Sequence, residues 1–207
     1  MLIAALANNS QLLIFTTRPD DAEEAGYPSP IDYKYCVAIA VDIMADIQLI
    51  GKDGARELHE FAHPIWREVF GPMITGGPDE AEYIFDSWQS AESIEKAMDD
   101  GFLYGYLLDG GRRAGYFALR LEGEKLFLSK CYLVGDERGK GLGSELIRWM
   151  LDYGKMHGCT SAYLHVNTRN TKAIEAYERN GFVKVYHEIE DQGDGFATND
   201  FVMSRRI

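Results

Sequence analysis

The spacing of hydrophobic and polar positions predicts regular elements from about residue 45 to the end of the chain. Residues 45–50 alternate as a half-buried strand does. Residues 53–70 repeat with a helical period, which we expect Pro64 to interrupt, because proline lacks the amide hydrogen that a helix interior uses. Residues 79–88 and 91–99 predict two further helices.

The following residues predict closely spaced strands and then alternating helices and strands. Glycine-containing breaks at residues 109–111 and 122–124 suit hairpins between the first three strands. Antiparallel hairpins followed by a strand–helix–strand–helix–strand order indicate an α+β fold, not a doubly wound one. The predicted strands are residues 102–108, 114–121, 125–134, 162–166, 182–189 and 199–204; the predicted helices run from Leu142 to about Gly158 and from Asn170, as N-cap, to Asn180.

The first 43 residues lack this periodicity. They are rich in proline and glycine between residues 18 and 30, with apolar pieces at residues 12–15 and 36–41. We interpret residues 1–43 as a loosely structured extension with short helices or strands. Two hypotheses stay open: Met44 is the true start and the preceding residues are an upstream over-read, or the extension belongs to the protein.

Composition narrows the classes of function. The 207 residues are 46% hydrophobic and 26% charged, which is ordinary for a folded globular protein. A net charge of −12 disfavours nonspecific nucleic-acid binding, and no apolar run approaches the ~18 residues that cross a bilayer. The three cysteines (Cys36, Cys131, Cys159) form no Cys-x-x-Cys, and the five histidines do not cluster at ligand spacing. We therefore expect a reducing, cytoplasmic setting, no disulfide framework and no metal.

A glycine-rich segment at residues 133–144 joins a predicted strand to a predicted helix. Glycines let the backbone approach a ligand, and the free amides at a helix N-terminus favour an anion. Arg138 and Lys140 add full positive charges. The segment therefore predicts a pyrophosphate site, with a glycine-rich turn that binds nothing as the alternative.

Two common phosphate motifs fit this segment poorly. A P-loop fails because the spacing from Gly135 to Gly139 is one residue short and glycine follows Lys140. A Rossmann fingerprint is weak, because Ser144 stands at the last glycine position and no acidic residue closes the next strand.

Two motifs carry a resemblance to a known family. Residues 138–143 match the Arg/Gln-x-x-Gly-x-Gly/Ala signature of the Gcn5-related N-acetyltransferases (GNAT), and residues 170–182 match the family's Asn-x-x-Ala-Ile-x-x-Tyr-x-x-x-Gly-Phe segment. The resemblance covers about residues 45–207. Residues 126–133 and 195–203 look most similar to bacterial polyamine-type acetyltransferases. The predicted domains are the extension, residues 1–43, and a GNAT domain, residues 44–207.

The resemblance implies a mixed, mostly antiparallel sheet flanked by helices, in which two parallel strands splay apart around acetyl-CoA. Those strands correspond to residues 125–134 and 162–166. The first would offer its main chain to the pantetheine arm, the glycine-rich loop would hold the pyrophosphate, and an asparagine side chain would contact the arm. The implied cofactor-binding residues are Cys131, Tyr132, Leu133, Arg138, Gly139, Lys140, Gly141, Leu142, Gly143, Ser144 and Asn170.

The resemblance also suggests the catalytic groups. Tyr177 would be the general acid that protonates the leaving thiolate; the alternative is a core aromatic. The backbone N–H of Leu133 would stabilise the oxyanion. His165 stands where relatives that acetylate protein N-termini carry a glutamate, and imidazole suits proton removal at neutral pH. Ser129, at the other base position of the family, cannot act unaided. A purely structural His165, with water as the proton carrier, stays open.

The predicted function is transfer of acetyl from acetyl-CoA to a primary amine by direct attack in a ternary complex. A polyamine or other small basic amine is the leading acceptor, because the acidic balance of the chain suits a cation. The alternatives are a protein N-terminus and a non-catalytic CoA-binding module. We expect the amine to enter between the early helices and the last hairpin, where no residue is assigned. The expected partners are a small molecule and, from the resemblance, a second subunit in a homodimer, without nucleic acid or membrane.

Overall fold

The computed structural model describes strands at residues 3–7 and 11–15 and then residues 45–74, 77–193 and 196–207. The chain divides into two compact units, Met1–Asp46 and Ile47–Ile207. In the first, β1 (Ile3–Ala7) pairs antiparallel with β2 (Gln11–Phe15), so the apolar piece at residues 12–15 lies in a strand. The apolar piece at residues 36–41 lies outside the described residues. Assignment of residues 1–43 as an extension stays a prediction.

The second unit contains a seven-stranded sheet in the order β3-β4-β5-β6-β7-β9-β8. Among the pairs with a described register, β6 and β7 are parallel, and β4–β5, β5–β6, β7–β9 and β8–β9 are antiparallel. This confirms the predicted mixed, mostly antiparallel sheet. The strands are β3 (Asp46–Ile50), β4 (Phe102–Asp109), β5 (Arg112–Glu122), β6 (Lys125–Leu133), β7 (Ser161–Asn167), β8 (Val183–Gly193) and β9 (Phe196–Arg206).

Helices cover both faces of the sheet. Tyr116 of β5 belongs to the core formed with the first three helices, whereas its neighbour Phe117 contacts Trp149 of the fourth helix, with ring centroids 5.1 Å apart. Successive strand residues point to opposite faces, so these helices lie on opposite sides. The helices are α1 (Ala55–Phe70), α2 (Pro78–Gln89), α3 (Ala91–Asp99), α4 (Leu142–Met156) and α5 (Thr171–Arg179). In the described parts of the chain, none of them has the length and apolar character of a membrane span.

The prediction that Pro64 interrupts the first helix is wrong, because α1 continues through it. Proline at this position removes the hydrogen bond to the Glu60 carbonyl and costs ~3 kcal/mol. Burying a leucine or isoleucine contributes ~1.5–3 kcal/mol, and α1 buries several apolar side chains, which offsets that cost. The buried residues of α1 are Ala55, Leu58, Ala62, Ile65 and Trp66.

An irregularity in β6 opens the sheet. Leu128 lies opposite Leu119 of β5, but Lys130 lies opposite Ala118, so Ser129 is an extra, bulged residue. The parallel pairing of β6 with β7 ends at the same place, at Leu128 and Leu164. A bulge bends its strand and increases the local twist. The rest of β6 therefore diverges from β7 and leaves a V-shaped gap between them.

Candidate active site

A cleft of about 1480 Å³ occupies this gap. It extends from the loop before α4 and the start of α5 to α1, α2 and the β8–β9 end of the sheet. Eleven of the thirteen site residues predicted from the sequence line it; Lys140 and Leu142 do not. The Lys140 ammonium instead pairs with the Glu137 carboxylate at 2.7 Å. The eleven are Cys131, Tyr132, Leu133, Arg138, Gly139, Gly141, Gly143, Ser144, His165, Asn170 and Tyr177.

The loop before α4 leaves backbone amides available to a ligand. Gly139 and Gly141 have φ of 78° and 90°, in the left-handed region that favours glycine. Gly141 is the N-cap of α4 and provides no side-chain cap, so the Leu142 and Gly143 amides lack an intrahelical acceptor, whereas the Ser144 amide donates to the Gly141 carbonyl at 2.9 Å. A Cβ added at Gly139 or Gly141 would meet no atom within 4 Å. The loop therefore fits a pyrophosphate held by backbone amides.

Arg138 has a positioning role that the sequence motif does not reveal. Its guanidinium pairs with both carboxylate oxygens of Glu68 on α1, at 2.7 and 3.2 Å. Its Nε and Nη2 atoms also donate to the Leu133 carbonyl, at 3.1 and 2.9 Å. These contacts tie the loop to α1 and β6. Glu68 lies 70 residues before Arg138, so no local pattern could have pointed to it.

The end of β6 turns backbone groups away from β5 and towards the gap. The Val134 amide donates to the Ala114 carbonyl at 2.9 Å, which makes Gly115 and Leu133 a non-hydrogen-bonded pair. The N–H and C=O of Leu133 therefore point away from β5, and those of Cys131, two residues earlier, do the same. Burial raises the pKa of the Cys131 thiol to about 12, so this thiol is a poor nucleophile at neutral pH.

Helix α5 brings two predicted residues to the gap. The Asn170 side chain accepts a hydrogen bond from the Ala173 amide at 3.3 Å, which confirms its role as N-cap. Two turns later, the Tyr177 hydroxyl lies beside the Cys131 thiol. Burial, with the neighbouring thiol, raises the pKa of Tyr177 well above its usual value near 10. This hydroxyl therefore carries its proton at neutral pH beside the open backbone of β6.

His165 on β7 lies near the carboxylates of Glu188 and Asp200, and Glu190 lies near Asp200; we call these three carboxylates, Glu188, Glu190 and Asp200, the acidic group. The His165 Nδ1 atom is 3.4 Å from the Glu188 carboxylate. Burial raises the pKa of Asp200, and the two glutamates add to that effect, whereas His165 and Asn167 oppose it. Sequence reasoning missed the acidic group, because the pairing of β8 with β9 brings residues ten or more positions apart together.

The wall opposite α5 is aromatic. Trp66 and Phe70 of α1 stack with ring centroids 5.0 Å apart, and Phe70 meets Tyr132 of β6 at 6.2 Å. Trp88 and Glu80 of α2 also line the cleft, so part of the region to which the sequence assigned no binding residue faces it. Glu57, by contrast, pairs with Arg113 at 2.8 Å and does not line the cleft.

Cysteines and acids do not form a metal site in the described part of the chain. Cys131 and Cys159 are free thiols, and no group of three or more histidine, cysteine, aspartate and glutamate residues there is arranged to hold an ion. Cys36 lies outside the described residues.

Solved structures share this fold. One is an N-acetyltransferase, paia, of Thermoplasma acidophilum in complex with coenzyme A, with a TM-score of 0.64, 19% identity and coverage of 78% of this chain and 98% of that one. Another is the ribosomal-protein-S18-alanine N-acetyltransferase of Escherichia coli, with a TM-score of 0.57, 18% identity and coverage of 79% and 94%. At these identities the likeness concerns the fold alone.

A curated relative and a family model match the sequence itself. Mycothiol acetyltransferase of Corynebacterium glutamicum is 35% identical over 120 residues, which is 56% of this chain but only 40% of that protein. The predicted nearness to polyamine-type enzymes gains no support from this relative. The model of the acetyltransferase (GNAT) family matches residues 57–182, which include the glycine-rich loop, both strands of the gap and α5. The chain therefore belongs to the GNAT family of acetyltransferases.

Proposed function

We propose that this chain transfers the acetyl group of acetyl-CoA to the primary amine of a small molecule, by direct attack in a ternary complex. The observation that carries the proposal is the gap between β6 and β7, where the backbone N–H of Leu133 lies in one cleft with the protonated Tyr177 and with His165. Acetyl-CoA would supply an activated acetyl thioester. The amides of residues 138–144, the main chain of Cys131 to Leu133 and the Asn170 side chain would hold it.

His165 and Tyr177 would carry out the two proton transfers of the reaction. A protonated amine has no lone pair, so attack requires a base, and His165 would accept that proton while Glu188 stabilises the charge. Tyr177, whose raised pKa keeps it protonated at neutral pH, would donate that proton to the departing thiolate. The Leu133 N–H points into the gap and would stabilise negative charge on the acetyl oxygen.

The acceptor is proposed to be a polyamine or another small basic amine. The acidic group and the net charge of −12 both favour a cation in this cleft. The relative named mycothiol acetyltransferase supports a small-molecule acceptor but does not favour a polyamine. A protein N-terminus is the second candidate, and a module that binds CoA without turnover is the third. The homodimer and the cytoplasmic location belong to the same proposal and rest on the family resemblance and on cysteine usage.

We expect free thiol to be released from acetyl-CoA only when both the protein and an amine are present. The assay compares no amine, spermidine and an alanine-terminated peptide at neutral and alkaline pH. Release with spermidine and not with the peptide supports the small-amine acceptor, and the reverse supports a protein N-terminus. Release no faster than without protein, for every amine, would contradict the proposed activity and favour the non-catalytic module.

We expect the His165→Gln variant to lose ~10²-fold in kcat/KM at neutral pH, the lower end of the range for general-base catalysis. The loss should shrink as the pH rises, because a growing fraction of the acceptor amine is then already neutral. The measurement is a pH–rate profile of both proteins. His157→Gln is the matched control, since His157 is exposed at the end of α4 and contacts only the Tyr153 carbonyl and ring among the described residues. A loss of the same size at every pH would show that His165 acts structurally.

A further inference from the structure

Lys130 is a cation in the cleft that takes no part in the proposed proton transfers. It follows the bulged Ser129 and lies directly opposite Ala118, whose side chain belongs to the core under α1–α3. Opposed residues share a face of the sheet, so Lys130 points towards the α1–α3 side. Its ammonium lies 5.5 Å from the centre of the Trp88 ring and donates to the Ser129 hydroxyl at 3.3 Å.

The ammonium of Lys130 has no carboxylate partner among the described residues, although the chain contains 33 acidic residues. Its side chain is partly buried and lines the cleft. Burial lowers the pKa of Lys130 to about 8, so most of the population is still charged at neutral pH. Holding a charge away from water without a counter-ion is unfavourable. A site kept in this state is suited to an anion that arrives with a ligand.

Among the charged residues that line the cleft, Lys130 and two members of the acidic group lie in different places. Glu190 and Asp200 of the acidic group line it at the β8–β9 end, beside His165. Lys130 lines it on the α1–α3 side of β6, beside Trp88. An acceptor that satisfies both would present its amine to the acidic group and an anionic group to Lys130. A polyamine has amines for the acidic group but no anionic group for Lys130.

We propose that Lys130 binds an anionic oxygen group of the acceptor, so that the substrate class is a small amine that also carries a carboxylate or a phosphate. This inference rests on the proposed function and narrows its acceptor. A planar carboxylate and a phosphate would both accept hydrogen bonds from the ammonium, while the Trp88 ring limits its exposure to water.

The test measures binding separately from turnover. Calorimetry on the CoA-bound protein gives Kd for ω-amino carboxylates with two to five methylene groups, each compared with its uncharged amide, and for phosphoethanolamine compared with ethanolamine. We expect one spacing or the phosphate to bind at least ~10-fold more tightly than its neutral counterpart, a factor worth ~1.4 kcal/mol. Lys130→Met should reduce that ratio to about one, and Lys130→Arg should restore part of it. Lys125→Met, at the exposed start of the same strand, should leave it unchanged.

The outcomes separate this inference from the proposed function. Equal Kd for charged and neutral members of every pair, absence of binding by all of them, tighter binding of spermidine, or a preference that persists in Lys130→Met would each overturn the role of Lys130. Thiol release with the neutral amides would then still support an acetyltransferase. A preference in binding that depends on Lys130, without release from any acceptor, would support the anion site and contradict the proposed function instead.

Discussion

Replacing Tyr177 with phenylalanine is expected to lower kcat by ~10²–10³-fold, within the range for loss of a general acid. The ring stays in place against Phe182, where the centroids are 5.8 Å apart, so the packing of α5 should survive. Only the hydroxyl, which lies beside the Cys131 thiol, is removed. That hydroxyl lies beside Cys131 of β6 and away from the glycine-rich loop. The Kd for acetyl-CoA should therefore change less than ~2-fold, or ~0.4 kcal/mol.

The raised pKa of Tyr177 fixes the pH dependence of this effect. The group stays protonated until the pH exceeds its pKa, which burial holds well above 10. The deficit of Tyr177→Phe should therefore be constant over the whole range from neutral to moderately alkaline pH, unlike that of His165→Gln. The control is Tyr186→Phe, which removes a hydroxyl from a tyrosine 53% exposed on β8. Wild-type kcat in Tyr177→Phe would show that this residue is a core aromatic.

Substituting valine for Gly141 is expected to weaken acetyl-CoA binding by ~100-fold, equivalent to ~2.7 kcal/mol. Gly141 caps α4 with φ of 90°, and a side chain there would project into the open space in front of the first-turn amides. A valine would both strain the backbone and occupy the proposed place of the pyrophosphate. The strain alone costs ~1–2 kcal/mol of stability. The measurements are calorimetric Kd and urea unfolding of the same preparation.

Gly158→Val is the matched control for this experiment. Gly158 follows the other end of α4, has φ of 83° and is likewise open, but it does not line the cleft. Both variants should lose similar stability, and only Gly141→Val should lose affinity for acetyl-CoA. Equal affinity in the two variants would refute the assignment of the loop as the pyrophosphate site.

The parts of this molecule that follow from the sequence are those encoded by neighbouring residues. The loop at residues 138–144 was predicted because glycines that precede a free helix N-terminus form a local pattern, and the same is true of the cap at Asn170. Helix and strand order followed from periodicity. Pro64 was misjudged because the local cost of a proline is visible in the sequence, whereas the burial that offsets it depends on the whole core.

The residues missed by the sequence depend on tertiary pairing. Glu68 meets Arg138 across 70 residues, and the acidic group forms only when β8 pairs with β9 beside β7. Lys130 stands in an apolar strand where the alternation of side chains could not tell which face it occupies, because the register shift at Ser129 has no signature in the sequence.

The bulged residue Ser129 also determines which side chains of β6 face each side of the sheet. Before the bulge, Leu126 packs against Gly154 of α4. If the side chains of β6 alternated without a bulge, Lys130 would point to that same side of the sheet. With one residue added, Lys130 and Tyr132 turn towards α1–α3, and Cys131 turns towards α5 and Tyr177. A strand one residue shorter would exchange these assignments and extend its pairing with β7. A single inserted position thus determines which side chains of β6 face α1–α3 and which face α5.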